Sequence, residues 1–175
     1  MDPLIALTIA WSFAALCGAA AIHQWRARDE WHGIVGNYRL VPDAWVSATA
    51  IAIPLLEFTA ALALPWQRTR GLGALVAALL LVVFALALSI NIGRGRTHID
   101  CGCLGSSLRT GLSRWMVVRN LVLAALVSTL LLPVLPRALS LFELVMSAGS
   151  VITLAFLYAA LGLLLSTRAG WQRVS

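Results

Sequence analysis

Five apolar runs, each about long enough to cross a lipid bilayer, account for most of this 175-residue chain. They cover approximately residues 3–24, 43–65, 71–93, 115–136 and 139–165. A membrane-spanning helix needs about 20 apolar residues, and only helices or closed barrels satisfy the backbone hydrogen bonds within lipid. The sequence therefore predicts an all-α, polytopic membrane helical bundle with about five transmembrane helices and a four-helix core. We expect one integral-membrane domain over residues 1–175.

The composition excludes a soluble globular protein. Only 11% of the residues are charged and 61% are hydrophobic, whereas a soluble domain carries about 25% charged residues. The net charge of +6 comes from 13 basic residues, all arginines, which lie between the apolar runs or at their ends. This placement indicates anchoring at lipid headgroups. We therefore expect the lipid membrane as a partner, and no nucleic acid.

Two polar loops are longer than simple turns, and two apolar runs separate them, so both emerge on the same side of the bundle. The first, residues 25–42, is predicted to lie along the membrane interface as a short amphipathic helix. It includes the side chains of Trp31, His32, Tyr38 and Arg39, of which Trp31 and Tyr38 are interpreted as interfacial anchors. The second, residues 94–114, carries a Cys-Gly-Cys sequence, and Ser113 is the predicted N-cap of the helix that follows.

The arginines are distributed unequally between the two faces of the predicted bundle. Ten lie on the face of the two long loops: Arg26, Arg28, Arg39, Arg94, Arg96, Arg109, Arg114, Arg119, Arg168 and Arg173. The opposite face has three: Arg68, Arg70 and Arg137. Because cytoplasmic loops carry an excess of basic residues, this distribution predicts that the Cys-Gly-Cys loop is cytoplasmic and that the N-terminus is outside.

Cys101 and Cys103 are the predicted catalytic residues, a dithiol–disulfide pair. Gly102 between them gives the backbone the freedom that a very small disulfide ring requires. Such a short ring is expected to be strained, and strained disulfides are more oxidising and more labile. A link across one residue also removes little chain entropy, so it adds little stability. The pair therefore indicates a thiol-disulfide oxidoreductase rather than a structural disulfide.

The residues around the pair are predicted to support its chemistry. Arg94, His98 and a nearby helix N-terminus favour the thiolate, which is the nucleophilic form. Arg119 lies one to two turns inside the fourth span, where an arginine needs a partner. Asp100, Asn120 or the thiolates themselves are candidate partners. We expect Arg94 and Arg119 to tune the thiolate, and Asp100 and Asn120 to hold the loop.

A metal site and an inert loop are the alternatives to redox chemistry. The same loop offers four zinc donors: His98, Asp100, Cys101 and Cys103. However, it supplies only two thiolates, and the chain has no second pair of closely spaced cysteines, so a full ligand set would need His23 or His32 from the first loop. No metal ligands are therefore assigned, and dithiol chemistry is preferred over both alternatives.

Three further residues within the apolar runs invite a functional interpretation. Glu57 lies about 21 Å of helix from the end of its span that faces the Cys-Gly-Cys loop. It is interpreted either as a proton relay or as a structural hydrogen-bonding group. Asn91 is nearer that loop and either orients it or caps the third span. Cys17 is interpreted as core packing rather than as an exchange partner of the other thiols.

Motifs spread along the chain resemble successive motifs of one known family. They are residues 38–42 (Tyr-Arg-Leu-Val-Pro), Glu57, residues 90–96 (Ile-Asn-Ile-Gly-Arg-Gly-Arg), residues 99–105 (Ile-Asp-Cys-Gly-Cys-Leu-Gly) and Arg119-Asn120. The chain thereby resembles the MauE family of methylamine utilisation proteins, which is related to DoxX-like membrane proteins. It departs from the family at Leu104, where a Phe is frequent, and at His23, where a Lys is common.

The resemblance implies a multi-pass protein of the bacterial inner membrane. It implies an accessory role in maturation of the methylamine dehydrogenase small (β) subunit, or of a similar exported client that contains disulfides. It also implies a thioredoxin-like, MauD-like partner. An exported client requires the thiols to serve the periplasm, which conflicts with the arginine distribution.

Three other functions stay open at this point. The bundle is similar in outline to vitamin K epoxide reductase, where membrane helices hold a redox cysteine pair near a quinone. A quinone-linked oxidoreductase is therefore one alternative, and quinone is the one cofactor that we consider. A metal-binding or metal-transport membrane protein and a non-redox membrane scaffold are the other two.

Overall fold

The computed structural model describes residues 1–96, 112–135, 137 and 140–171, with side chains in the last helix described to Leu157 and at Ala160. All regular secondary structure in this part of the chain is helical, without a strand. Its helices are α1 (Pro3–Arg26), α2 (Arg28–Tyr38), α3 (Asp43–Ala63), α4 (Arg70–Gly93), α5 (Arg114–Ser128) and α6 (Leu141–Trp171), and a 3-10 turn over Thr129–Leu131 extends α5.

Four of these helices are long and apolar enough to cross a membrane, among the residues that the structure describes. They are α1, α3, α4 and α5 with its 3-10 turn. The apolar helix α6 packs against α1. The prediction of an all-α membrane bundle with about five spans is therefore confirmed. The first long loop contains the expected short helix, α2, which buries Trp31 and Val35 and leaves its other side chains exposed or partly exposed.

The core joins α1, α3, α4 and α5, as the predicted four-helix core requires, and it is built mainly from small residues. Its buried members are Ala6, Ala10, Phe13, Ala60, Leu64, Ala74, Ala77, Ala78, Val127 and Leu130. Many large apolar side chains instead face outwards, among them Leu72 and Leu79 of α4. This distribution is typical of membrane bundles, because small side chains let helix backbones approach closely while lipid covers the large ones.

The turn between α3 and α4 shows the closest approach. A Cβ on Gly73 would lie 2.9 Å from the backbone nitrogen of Leu64 and 3.0 Å from the Cβ of Ala63. The start of α4 also satisfies carbonyls at the end of α3, which a helix leaves without intrahelical donors. Thr69 Oγ1 donates to the carbonyl of Ala63 at 2.9 Å, and Arg70 Nε donates to that of Leu64 at 3.3 Å. The two helices therefore form one fixed hairpin.

The face opposite the Cys-Gly-Cys loop holds the chain start against the beginning of α6. The N-terminal ammonium of Met1 donates to the carbonyl of Pro133 at 2.8 Å, and Asp2 caps α1 by accepting from the backbone N–H of Leu4. Arg137 forms ion pairs with Asp2 at 3.7 Å and with Glu143 at 2.6 Å. Two carboxylates on this face thus compensate the charge of Arg137. The net positive charge of the face is therefore even smaller than the count of arginines indicates.

Candidate functional site

The predicted reactive pair and its nearest neighbours lie outside the described residues. These are His98, Asp100, Cys101, Gly102 and Cys103. The structure does describe the two ends from which the Cys-Gly-Cys loop starts, namely the C-terminus of α4 and the N-terminus of α5. The predicted N-cap of α5 is confirmed, since Ser113 Oγ accepts the backbone N–H of Trp115 at 3.3 Å.

The end of α4 is a Schellman C-cap. The backbone N–H of Arg96 donates to the carbonyl of Asn91 at 3.0 Å, and that of Gly95 donates to the carbonyl of Ile92 at 3.0 Å. Gly95 has a φ of 72°, in the left-handed region that glycine occupies at little cost. This cap sets the direction in which the chain leaves α4, and so the direction in which the loop begins.

Two arginines beside this cap reach across to the C-terminus of α2. Arg94 Nη1 donates to the carbonyl of Arg39 at 3.3 Å, and Arg96 Nη1 donates to the carbonyl of Asn37 at 3.4 Å. A helix C-terminus attracts cations, because its last carbonyls lack intrahelical donors and carry the negative end of the helix dipole. Arg94 therefore anchors the root of the loop, a role that the sequence does not indicate. Its predicted effect on the thiolate stays a prediction.

Helix α2 is in turn fixed to α3 by a buried hydrogen bond. The indole Nε1 of Trp31 donates to the backbone carbonyl of Ala50 at 2.9 Å. That carbonyl is available because residue 54 is a proline, which has no N–H to donate four residues back along the helix. Val35 and Val46 pack with this pair in a small apolar cluster. A second contact joins His32 Nε2 and Ser47 Oγ at 3.0 Å.

Two buried amides lie on the adjacent helices α4 and α5, near the ends that carry the loop. Asn91 is completely buried, and its Nδ2 donates to the carbonyl of Ala87 at 3.0 Å. Its Oδ1 has no hydrogen-bond partner in the described part of the chain, and the same holds for Nδ2 of the buried Asn120. A buried polar atom left unpaired costs about 1–3 kcal/mol. Both amides therefore remain candidates for a functional role.

A third buried amide, Gln24, is one that the sequence reasoning missed. It is 3% exposed, two residues before the end of α1 on the same side of the bundle, and its Oε1 also lacks a partner among the described residues. The signal that could have found it is its position: a polar residue just before the charged end of a span. Arg119, beside Asn120, is half-buried on α5.

Glu57 and Cys17 lie deeper in the bundle. Glu57 is 5% exposed and sits six residues from the Ala63 end of α3, in the half of that helix away from the loop. Cys17 packs against the core cluster, in agreement with its interpretation as core packing.

No cluster suited to a metal ion occurs among the described side chains, where three or more His, Cys, Asp or Glu residues never come together. The four loop donors of the zinc alternative lie outside those residues. Of the two histidines that were considered to complete a ligand set, His32 contacts Ser47, and His23 is half-buried in the last turn of α1.

Comparison with known proteins gives a family match over most of the chain. The model of the family described as methylamine utilisation protein MauE matches residues 2–134. The methylamine utilization protein MauE of Methylophilus methylotrophus is 36% identical over 167 residues, covering 93% of this chain and 87% of that protein. The protein of the same name from Paracoccus denitrificans is 37% identical over 164 residues, covering 92% and 88%. No solved structure matches the chain significantly.

Proposed function

The chain belongs to the MauE family, and on this premise we propose that it is a membrane accessory factor in methylamine utilisation. Its client is the methylamine dehydrogenase small (β) subunit or a similar exported protein that contains disulfides. It acts in the bacterial inner membrane by thiol-disulfide exchange through Cys101 and Cys103, with a thioredoxin-like, MauD-like partner.

Each exchange moves two electrons and two protons between proteins. A thiolate of one protein attacks a disulfide sulfur of the other, which forms a mixed disulfide and releases one thiolate. The second thiolate of the attacking pair then attacks the mixed disulfide at the sulfur of its own protein, which closes that pair's disulfide and releases the other protein's second thiolate. One pair ends as a disulfide and the other as a dithiol. The Cys101–Cys103 pair can therefore pass reducing equivalents between the client and the thioredoxin-like partner without any other co-reactant.

The observation that supports this proposal best is the anchored root of the Cys-Gly-Cys loop. Arg94 and Arg96 bind the C-terminal carbonyls of α2, and Gly95 fixes the exit of the chain from α4. A reactive group that must meet a second protein is most effective when rigid elements hold it.

Single cysteine substitutions test the proposal, with Cys17 as a matched control. We expect Cys101→Ser and Cys103→Ser each to abolish correct disulfide formation in the client while the protein stays inserted in the membrane. Cys17→Ser should leave client maturation intact, because Cys17 packs in the core. The measurement is non-reducing electrophoresis of the client after thiol trapping in cells. Normal client disulfides in a Cys101→Ser strain would contradict thiol exchange and favour a scaffold.

A second experiment determines which face of the membrane the loop serves. Intact cells are treated with a membrane-impermeant maleimide, before and after reduction, and the modified cysteines are identified. Maturation of an exported client requires labelling of Cys101 and Cys103 without permeabilisation. Labelling only after permeabilisation would instead agree with the arginine distribution and place the exchange on the cytoplasmic side.

A further inference from the structure

Helix α2 is bonded to two parts of the bundle at once. Near its start, Trp31 donates to the carbonyl of Ala50 in α3 at 2.9 Å. At its end, the carbonyls of Asn37 and Arg39 accept from the two arginines at the root of the loop. Trp31 and Asn37 are six residues apart, about 9 Å of helix. A shift of α2 against α3 would therefore be passed to the root of the loop through a short, continuous helix.

The bond from Trp31 has no ready replacement. Pro54 removes the N–H that would otherwise bond to the Ala50 carbonyl within α3. Trp31 and Ala50 are 7% and 8% exposed, so water has little access to either partner. The contact between His32 and Ser47 also joins α2 to α3, but it is exposed. The indole N–H therefore provides a buried polar link that helps to fix the position of α2 on α3.

We propose that Trp31 is a positioning residue for the Cys-Gly-Cys loop. Its indole N–H fixes α2 on α3, and α2 holds Arg94 and Arg96 through its last carbonyls. A loss of this one donor changes the reactivity of the loop thiols, although Trp31 itself lies at the opposite end of α2 from the arginines. The inference deepens the proposed function and rests on it for its biological meaning, but the geometric part can be measured on the isolated protein.

The first test is Trp31→Phe, which retains an aromatic ring and removes the donor together with part of the buried indole. The full-length protein is reduced in detergent, treated with a maleimide, and the alkylation of each cysteine is followed by mass spectrometry. We expect the alkylation rates of Cys101 and Cys103 to change by up to about fivefold. Loss of one typical hydrogen bond can shift the equilibrium between two positions of α2 by about that factor. The rate at Cys17 should not change, because that thiol reports opening of the core. Trp45→Phe, at a side chain 64% exposed on α3, is the matched control and should leave all rates unchanged.

A second variant separates positioning from stability. In the double variant Trp31→Phe/Pro54→Ala, residue 54 supplies the N–H that the Ala50 carbonyl lacks in the single variant. We expect thermal stability to return towards that of the unmodified protein, while the altered rates at Cys101 and Cys103 persist because α2 is still untethered. The double variant also keeps the test informative if Trp31→Phe alone fails to fold.

Two results would overturn the positioning role. One is an unchanged alkylation rate at Cys101 and Cys103 in Trp31→Phe. The other is a rate that recovers together with stability in the double variant, since Trp31 would then act on the fold alone. Failure of the proposed function is a separate outcome, which appears as normal client disulfides in Cys101→Ser whatever the alkylation rates are.

Discussion

The guanidinium group of Arg94 donates a hydrogen bond from Nη1 to the backbone carbonyl of Arg39 across 3.3 Å, although the two residues are 55 positions apart in the sequence. Each belongs to one of the motifs through which the chain resembles its family. One motif ends α2 and the other ends α4, so the two meet at the base of the Cys-Gly-Cys loop. Their contact gives a structural reason for both, which neither motif shows by itself.

Replacement of Arg94 by Lys distinguishes anchoring from charge. Lysine keeps the positive charge but replaces the planar guanidinium by a point-like ammonium with different donor geometry. We expect Arg94→Lys to change the alkylation rate of Cys101 and Cys103 as much as Arg94→Gln does, by up to about fivefold, since an exposed charged contact contributes at most ~1 kcal/mol. Arg28→Lys, at an arginine that stacks on Trp25 at 4.5 Å, should have no effect. If the rates change in Arg94→Gln but not in Arg94→Lys, the positive charge of residue 94 acts on the thiolate.

Gly95 provides a second test of the loop root. Its φ of 72° is unfavourable for alanine, so Gly95→Ala should destabilise the end of α4 by ~1 kcal/mol. Gly93, two residues earlier, is helical and has open space around the position of a Cβ. Gly93→Ala should therefore be neutral or stabilising by roughly 0.5 kcal/mol. Thermal unfolding in detergent measures both, and equal effects would show that the left-handed conformation at Gly95 is unimportant.

The bundle could be predicted from the sequence because its causes are local. Lipid requires long apolar helices, and their approximate limits follow from the apolar runs. The N-cap at Ser113 was also predictable, since a hydroxyl immediately before a helix is a local signal. The ends are less exact: α1 continues to Arg26 and α6 to Trp171, beyond the predicted residues 24 and 165. Once a helix leaves the lipid, polar residues can continue it, so apolar content does not mark its end.

The contacts of α2 could not be predicted because they join distant residues. The sequence indicates an interfacial anchor at Trp31, yet this side chain is buried and bonded to Ala50, 19 residues away. Pro54 within an apolar run does indicate a free carbonyl four residues earlier. The proline does not indicate which donor bonds to that carbonyl, because the donor depends on how α2 packs against α3. The roles of Arg94 and Arg96 at the end of α2 are hidden in the sequence for the same reason.

The hairpin between α3 and α4 predicts that the stability cost of a glycine-to-alanine change in α4 depends strongly on its position. A Cβ on Gly73 would collide with the backbone of Leu64, so Gly73→Ala should force the two helices apart and cost roughly 1–3 kcal/mol. Gly71, in the same helix, has no atom within 4 Å of its Cβ position. Gly71→Ala should leave the stability unchanged or slightly higher. Thermal unfolding in detergent is the measurement, and a tolerated Gly73→Ala would show that the hairpin adjusts.

The burial of Asn91 predicts that a substitution at this position can raise stability and lower function at the same time. Its Oδ1 is buried without a partner in the described structure, and such an atom costs about 1–3 kcal/mol. Leucine has the same branched skeleton of four side-chain heavy atoms and no polar atom, although its methyl groups occupy more volume. We therefore expect Asn91→Leu to raise the unfolding temperature in detergent and, if the amide orients the Cys-Gly-Cys loop as the sequence predicts, to reduce client maturation. Sites kept for function are commonly ones that a more stable residue could fill.

Asn37→Leu is the control, because the Asn37 side chain is exposed and its amide is already in contact with solvent. This control makes the same substitution, asparagine to leucine, but removes no buried polar group. The unfolding temperature should therefore not rise. If Asn91→Leu is more stable and matures the client normally, the amide has no role in the loop. If it is less stable than the unmodified protein, loss of the Nδ2 bond to the Ala87 carbonyl and the larger leucine side chain outweigh the relief at Oδ1, and the stability prediction is wrong.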